Sequence, residues 1–287
     1  MSSDIPAWFT DALAQSYDSR DVDVEEQRVS YRAWGKAGLP VAVLVHGGAA
    51  HAGWWDHIAP HLTTGHRVLA VDLTGHGESA HRESYSLDTW ADEVMTAARA
   101  ESAEPPVLFG HSMGGFVVLT AAARYGRDIR GVAAIDSPVR EMSPEAKAWV
   151  EAGNHVPGNK TYPDRETILG RFRTLPADES SLPYVHEHLA EGSIREVDGG
   201  WSWKFDPKIF LRSRMEPEDL AEAICDVTLI RGERGMATSD ITDVVAERLG
   251  RNVPVTVIPD AGHHIMLDQP VALIAVLQTL LGQWRNS

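Results

Sequence analysis

Six short apolar runs, each closing on glycine or a polar cluster, recur along the chain. They are "PVAVLVHGG" from Pro40, "HRVLAVDLTGHG" from His66, "PPVLFGHS" from Pro105, "RGVAAIDSP" from Arg130, "DVTLIRGE" from Asp226 and "VPVTVIPDAGHH" from Val253. Each is too short for a stable helix and apolar on both faces, as a parallel strand covered on both sides must be. Helical stretches alternate with them: "DTWADEVMTAARAESA", "GGFVVLTAAARYG", "DITDVVAERLG" and "QPVALIAVLQTLLGQW". Strand–helix alternation predicts right-handed βαβ units and an open twisted sheet. An earlier run, "RVSYRAW" from Arg28, alternates in polarity and reads as a half-exposed antiparallel strand.

Between about Pro138 and Pro217 the rhythm breaks and no buried strand is predicted. This stretch carries Trp149, Tyr162, Phe172, Tyr184, Trp201, Trp203, Phe205 and Phe210. A connection that long needs structure or purpose of its own. It reads as a helical cap over 138–217, inserted after the sixth strand into a core of 1–137 and 218–287. Most of its aromatics are expected to glue it to the core.

The formal charge of −15 argues against nucleic acid, which needs a basic face to displace its counterions, and against an anionic membrane surface. No run of 18 apolar residues predicts a membrane span. The N-terminal "MSSDIPAWFTDALAQ" lacks a signal-peptide pattern, so a cytoplasmic location is expected. The one cysteine, Cys225, leads into a strand and reads as a small core residue.

In open α/β sheets, ligands bind beyond the carboxyl ends of the strands. Ser112 sits there, in Gly110-His111-Ser112-Met113-Gly114, between a buried run and a helical one. That is the context of a sharp strand-to-helix turn that exposes a nucleophilic hydroxyl. The free N–H groups of the following helix suit a developing oxyanion. Met113 is expected to supply one donor, and Gly48, or next Ala49, a second.

"VLVHGG", "VDLTGHGES", "GHSMGG" and "PDAGHHIMLDQP" together resemble the α/β-hydrolase superfamily in its compact capped branch. The resemblance covers nearly the whole chain outside the cap. It implies the α/β-hydrolase fold, an eight-stranded, mostly parallel sheet, with a serine, an acid and a histidine in that chain order. A serine at the turn argues against the aspartate-nucleophile epoxide hydrolases and haloalkane dehalogenases of the same superfamily.

A serine hydroxyl needs a base to take its proton. Of thirteen histidines, His263 and His264 directly follow the last strand. The resemblance, through its Ala-Gly-His turn, points to His263, with His264 beside it or facing the pocket. His46, His76 and His111 read as structural. For the acid, the superfamily commonly places aspartate after the penultimate strand, where this chain has Gly232-Glu233-Arg234-Gly235. Asp136, closing the strand after the nucleophile's helix, is the leading substitute, as in some members the sequence resembles. Asp240 and Glu233 are the alternatives. Asp72 reads as a loop-ordering carboxylate.

Trp54, Trp55, His111 and His264 are the candidate pocket residues, although core packing is the better reading for each of the two indoles taken singly. With no lysine or arginine cluster near the strand ends, a neutral or weakly polar ester or lactone fits better than a phosphoester. No metal is expected, because "HGGAAH" and "HH" lack carboxylates at ligand spacing, and no cofactor-binding glycine motif is present. The expected partner is a small-molecule ester or lactone, with homodimer formation left open. The leading activity is a serine carboxylesterase or lactonase acting through an acyl-enzyme. Carbon–carbon bond hydrolysis, hydroxynitrile cleavage or perhydrolysis by the same residues is one alternative. A non-catalytic ligand-binding protein is the other.

Overall fold

In the computed structural model the six apolar runs become the six parallel strands of one eight-stranded sheet. The structure describes residues 5–141, 143–145, 148, 158–177, 180–212, 215–250 and 253–285. The chain enters through α1 (Ala7–Leu13), then β1 (Asp18–Val24), β2 (Gln27–Trp34), β3 (Val41–Val45) and β4 (Arg67–Val71). Next come α2 (Leu87–Glu101), β5 (Val107–His111), α3 (Met113–Tyr125) and β6 (Gly131–Ile135). After β6 lie α4 (Arg165–Leu169), α5 (Pro183–Gly192), β7 (Ile194–Val197) and β8 (Gly200–Trp203). The chain closes with β9 (Asp226–Gly232), α6 (Ser239–Leu249), β10 (Val255–Ile258), α7 (Ile265–Asp268) and α8 (Pro270–Trp284).

The sheet order is β1-β2-β4-β3-β5-β6-β9-β10, with β2 antiparallel to both β1 and β4. Residues of β3 alternate between two cores, because successive side chains of a strand point to opposite faces. Val41, Val43 and Val45 join α2 and α3 on one face; Ala42 and Leu44 join Trp55 and α8 on the other. All five are essentially inaccessible, and each such burial contributes about 1.5–3 kcal/mol for a large aliphatic side chain. Cys225 packs partly buried against the first core, and burial pushes its thiol up to about 11.

Two features differ from the sequence expectation. The edge strand β1 went unpredicted because only Val24 of its seven residues is buried, so it has no apolar signature. The 138–217 stretch is not purely helical: β7 and β8 form a separate hairpin across Asp198-Gly199. Asp-Gly is a strong hairpin signal, but the flanking residues are only half-buried. Tyr162 pairs with Trp201 beside it, and Phe172 packs against Trp203. Trp149 lies outside the described residues. Among the described residues, no helix is long and apolar enough to cross a membrane.

Candidate active site

Ser112 stands between β5 and α3 at φ 54°, ψ −116°, a left-handed region costly for any residue with a Cβ. Backbone bonds hold it there: its N–H donates to the Ile135 carbonyl (2.9 Å) and its carbonyl accepts from Gly115 N–H (3.0 Å). The flanking glycines permit the close approach. A Cβ on Gly110 would collide with the Gly114 carbonyl, and one on Gly114 with the Val45 carbonyl. The turn therefore presses β5, α3 and the end of β3 together and leaves the hydroxyl on a cavity wall.

His263 Nε2 lies 3.0 Å from Ser112 Oγ, and its Nδ1 lies 2.6 Å from Asp136 Oδ2. Asp136 is fully buried and His263 is 5% exposed, so the ion pair that would form on proton transfer is shielded from water. Asp136 sits at φ 44°, a conformation aspartate tolerates better than most residues. Its carboxylate accepts from Gly232 N–H (3.1 Å) and Met236 N–H (2.8 Å). A Cβ on Gly235 would overlap Asp136 Oδ1. The loop after β9 thus lacks a carboxylate at 235 because it wraps one arriving from β6. Of the two alternatives, Asp240 lies exposed in the first turn of α6, and Glu233 accepts from Asp260 N–H (2.9 Å). The line from carboxylate through imidazole to hydroxyl can strip the serine of its proton while holding the imidazolium.

Neighbouring histidines fix loops. The Nε2–H of His111 donates to the His263 carbonyl (2.9 Å), and burial, reinforced by His263, pushes the His111 imidazole well below its ordinary range. His46 donates through Nδ1 to the Gly47 carbonyl (2.8 Å) and accepts from Leu73 N–H (3.2 Å), so it ties the loop after β3 to the loop after β4. Burial pushes His46 down to about 4. Asp72 accepts from Ala52 N–H (2.6 Å) and Glu78 N–H (3.0 Å), and burial raises its carboxyl to about 6.

The histidine loop is also bonded to the stretch that follows α4. His264 Nε2 donates to the Pro176 carbonyl (3.0 Å), Ser180 Oγ to Asp268 Oδ2 (3.2 Å), and Leu182 N–H to the Leu267 carbonyl (2.8 Å). Asp268 Oδ2 accepts in addition from Gly262 N–H (2.5 Å), immediately before His263. None of these supports was foreseen from the sequence. The spacing of Asp268 after the Ala-Gly-His turn is the only clue it offers.

Ser112, Met113, Gly48 and His263 share the wall of a cavity of about 660 Å³. The rest includes Phe116, one turn along α3, Met215, Met236, and Pro138, Arg140, Pro176, Phe210 and Arg212 from 138–217. Trp54, Trp55, His111 and His264, expected on this wall, are not among its lining residues. The two indoles are buried in the second core instead, Trp54 edge-on to His264 at 5.5 Å, where large rings bury the most apolar area. The wall is also less neutral than expected, since it holds two arginines, with Glu141 as its acid. His111, His263 and His264 are the one cluster among the described residues that could gather around a metal ion. Both nitrogens of His263 are engaged by Asp136 and Ser112, which leaves the trio a ligand short while that line is intact.

A model of the alpha/beta hydrolase family matches residues 42–276, from β3 into α8. The chain belongs to the alpha/beta hydrolase family. It is a hydrolase, and its mostly parallel eight-stranded sheet is the α/β-hydrolase fold. It is similar to the 2-(acetamidomethylene)succinate hydrolase of Mesorhizobium japonicum, 29% identical over 89% of this chain and 92% of that protein. It is similar also to the esterase Rv0045c of Mycobacterium tuberculosis, 26% identical over 90% of this chain and 88% of the other. Among solved structures, the thioesterase domain of the curacin biosynthetic pathway superposes with a TM-score of 0.78 at 22% identity. That match covers 91% of this α/β-hydrolase chain and 99% of the domain, a likeness of fold.

Proposed function

We propose that the protein hydrolyses a carboxylic ester or lactone of a small substrate through an acyl-enzyme, with Ser112 as nucleophile, His263 as base and Asp136 as orienting acid. The observation that carries this reading is the hydrogen-bonded line from Asp136 through His263 to Ser112, opening on a cavity. The names of the Mycobacterium and Mesorhizobium relatives, an esterase and a succinate-derivative hydrolase, support hydrolysis as the reaction.

Ser112 Oγ attacks the acyl carbon as its proton passes to His263 Nε2. Asp136 holds the Nδ1–H and stabilises the imidazolium. The carbonyl oxygen becomes an oxyanion. Met113, first residue of α3, has an N–H outside the helix ladder, and with Gly48 it is the donor pair for that charge. His263 then protonates the leaving alcohol, which departs, and the acyl group stays on Ser112. Water, deprotonated by the same nitrogen, attacks the acyl carbon, and Ser112 recovers its proton as the acid leaves. The 138–217 stretch acts as a cap, since it supplies much of the cavity wall.

The test is hydrolysis of 4-nitrophenyl butyrate together with labelling by a fluorophosphonate. The expected outcome is turnover by the native protein, a single label on Ser112, and loss of both in Ser112→Ala. Turnover that survives Ser112→Ala, or a native protein that neither labels nor turns over, refutes the reading.

A further inference from the structure

We infer that a linear alkyl chain of the substrate leaves the catalytic cavity past the Met215 side chain and lies in a second groove along α3. This deepens the ester-hydrolase reading and rests on it, naming the substrate class as esters with an unbranched alkyl chain longer than butyl. The starting observation is a second cavity, of about 430 Å³, outside the one that holds Ser112. Among the described residues, Met215 is the one that lines both.

One helix runs past the two cavities. Met113 and Phe116 of α3 wall the first, and Leu119, Thr120 and Ala123 wall the second. Steps of three and four residues keep these side chains on one face of the helix. The cavities are therefore successive stretches along a single face, in order from the serine, and Met215 stands where one gives way to the other. Leu87, Leu220, Ala223 and Leu249 make the rest of the second wall largely apolar.

The charged groups of this wall already answer one another. Arg124 lies 2.9 Å from Asp92 and 3.4 Å from Asp88. Asp219 Oδ2 accepts from Glu216 N–H (2.8 Å). Such a wall gains by covering methylenes rather than by meeting an ionic ligand. Met215 suits a partition. Its thioether side chain is unbranched and turns about three bonds, so it repacks around an occupant without moving the backbone. The backbone behind it is tied down: Pro217–Asp219 forms a 3₁₀ turn, and Ala223 N–H donates to the Leu249 carbonyl (2.9 Å). A fixed wall with one adaptable side chain admits a thin, flexible chain more readily than a ring.

The experiment measures kcat/KM for 4-nitrophenyl butyrate, hexanoate, octanoate and decanoate, and for butyl and decyl acetate to read the alcohol side. The readout is the ratio of long to short chain within each series. Each methylene buried is worth up to about fourfold, so a native ratio above ten needs only about two methylenes in the groove. Thr120→Trp and Ala123→Trp fill the groove from half-buried and exposed positions, outside the core. Each lowers the ratio tenfold or more, and the fall begins at shorter chains in Thr120→Trp, whose ring stands about 4.5 Å nearer the serine end of α3. Met215→Ala raises the ratio severalfold. A tryptophan that merely loosens the fold lowers both esters together and leaves the ratio unchanged.

A native ratio at or below one in both series, with the short esters hydrolysed, overturns the inference and leaves the ester-hydrolase reading standing. A ratio unchanged in both tryptophan variants overturns the groove as the chain's site, and an unchanged or lower ratio in Met215→Ala overturns Met215 as the partition. If no ester is hydrolysed, the hydrolase chemistry proposed for this site fails, and calorimetry with 1-octanol decides the groove separately. Binding to the native protein that weakens tenfold or more in Ala123→Trp upholds it. No binding at millimolar concentration removes it.

Discussion

The space at Gly235 makes the position of the acid testable by moving it. In the native chain an aspartate at 235 would place a second carboxylate on the first: its Cβ would overlap Asp136 Oδ1 and stand 2.8 Å from Oδ2. Overpacking alone costs about 1–3 kcal/mol, and two buried carboxylates cannot both remain ionised. Gly235→Asp alone is therefore expected to lose stability and activity. Asp136→Gly clears the pocket without straining the backbone, because φ 44° suits glycine. It leaves His263 Nδ1 without its acceptor, which on the proposed mechanism costs about 10⁴ in kcat, or about 5 kcal/mol of transition-state stabilisation. In the double variant Asp136→Gly/Gly235→Asp, a carboxylate re-enters the same pocket from the β9 side. The backbone N–H groups of Gly232 and Met236, which now serve Asp136, remain to receive it. The expected recovery is about 10² of the lost kcat. The assay is kcat for 4-nitrophenyl butyrate with urea midpoints for all three variants. A double variant no faster than Asp136→Gly refutes the reasoning, as does an Asp240→Ala variant that falls as far as Asp136→Gly.

Acid is expected to unfold the protein early. Burial holds His46, His51 and His57 down to about 4, 3 and 4, and pushes His76 and His111 well below their ordinary range. An unfolded imidazole titrates near 6.5. Stability from these groups is therefore full above about 6.5 and is lost as pH falls toward 4, because only the unfolded chain takes up the protons. Asp72 and Glu93, raised by burial to about 6 and about 7, act in the opposite direction over the same window, but five histidines outweigh two carboxyls. The urea midpoint should fall between pH 6.5 and 4.5, and a constant or rising midpoint refutes the balance. Asp268→Ala removes the acceptor of the Gly262 N–H and should cost about 1–3 kcal/mol, read as a lower denaturant midpoint together with a lower kcat. A midpoint within experimental error of the native value would show that Gly262 finds another acceptor.

β3, β5 and β6 were legible because burial on both faces leaves little room for polar residues, so they read as apolar runs, whereas β10 read the same way although Val255 and Val257 are exposed at the sheet edge. β1 left no such trace, since most of its residues face water. Ser112, His263 and Asp136 follow such runs, the family resemblance pointed to His263 over His264 and lent support to Asp136, and the structure places His263 within hydrogen-bond distance of both Ser112 and Asp136. The cavity wall could not be read in the same way. Arg140, Phe210 and Arg212 converge from irregular stretches with no period to mark them. Trp54 and Trp55, offered as pocket candidates although core packing is the better reading for each singly, both turn their rings into the second core.

The bonds from Pro176, Ser180 and Leu182 to the loop carrying His263 and His264 have a consequence for substrate size. A bulky substrate that wedges Pro176, Ser180 or Leu182 outward also pulls on the loop that carries the imidazole proposed to activate Ser112. On that proposal admission and reactivity are geared together, so loosening these bonds to enlarge the substrate range would slow turnover even for substrates that already fit.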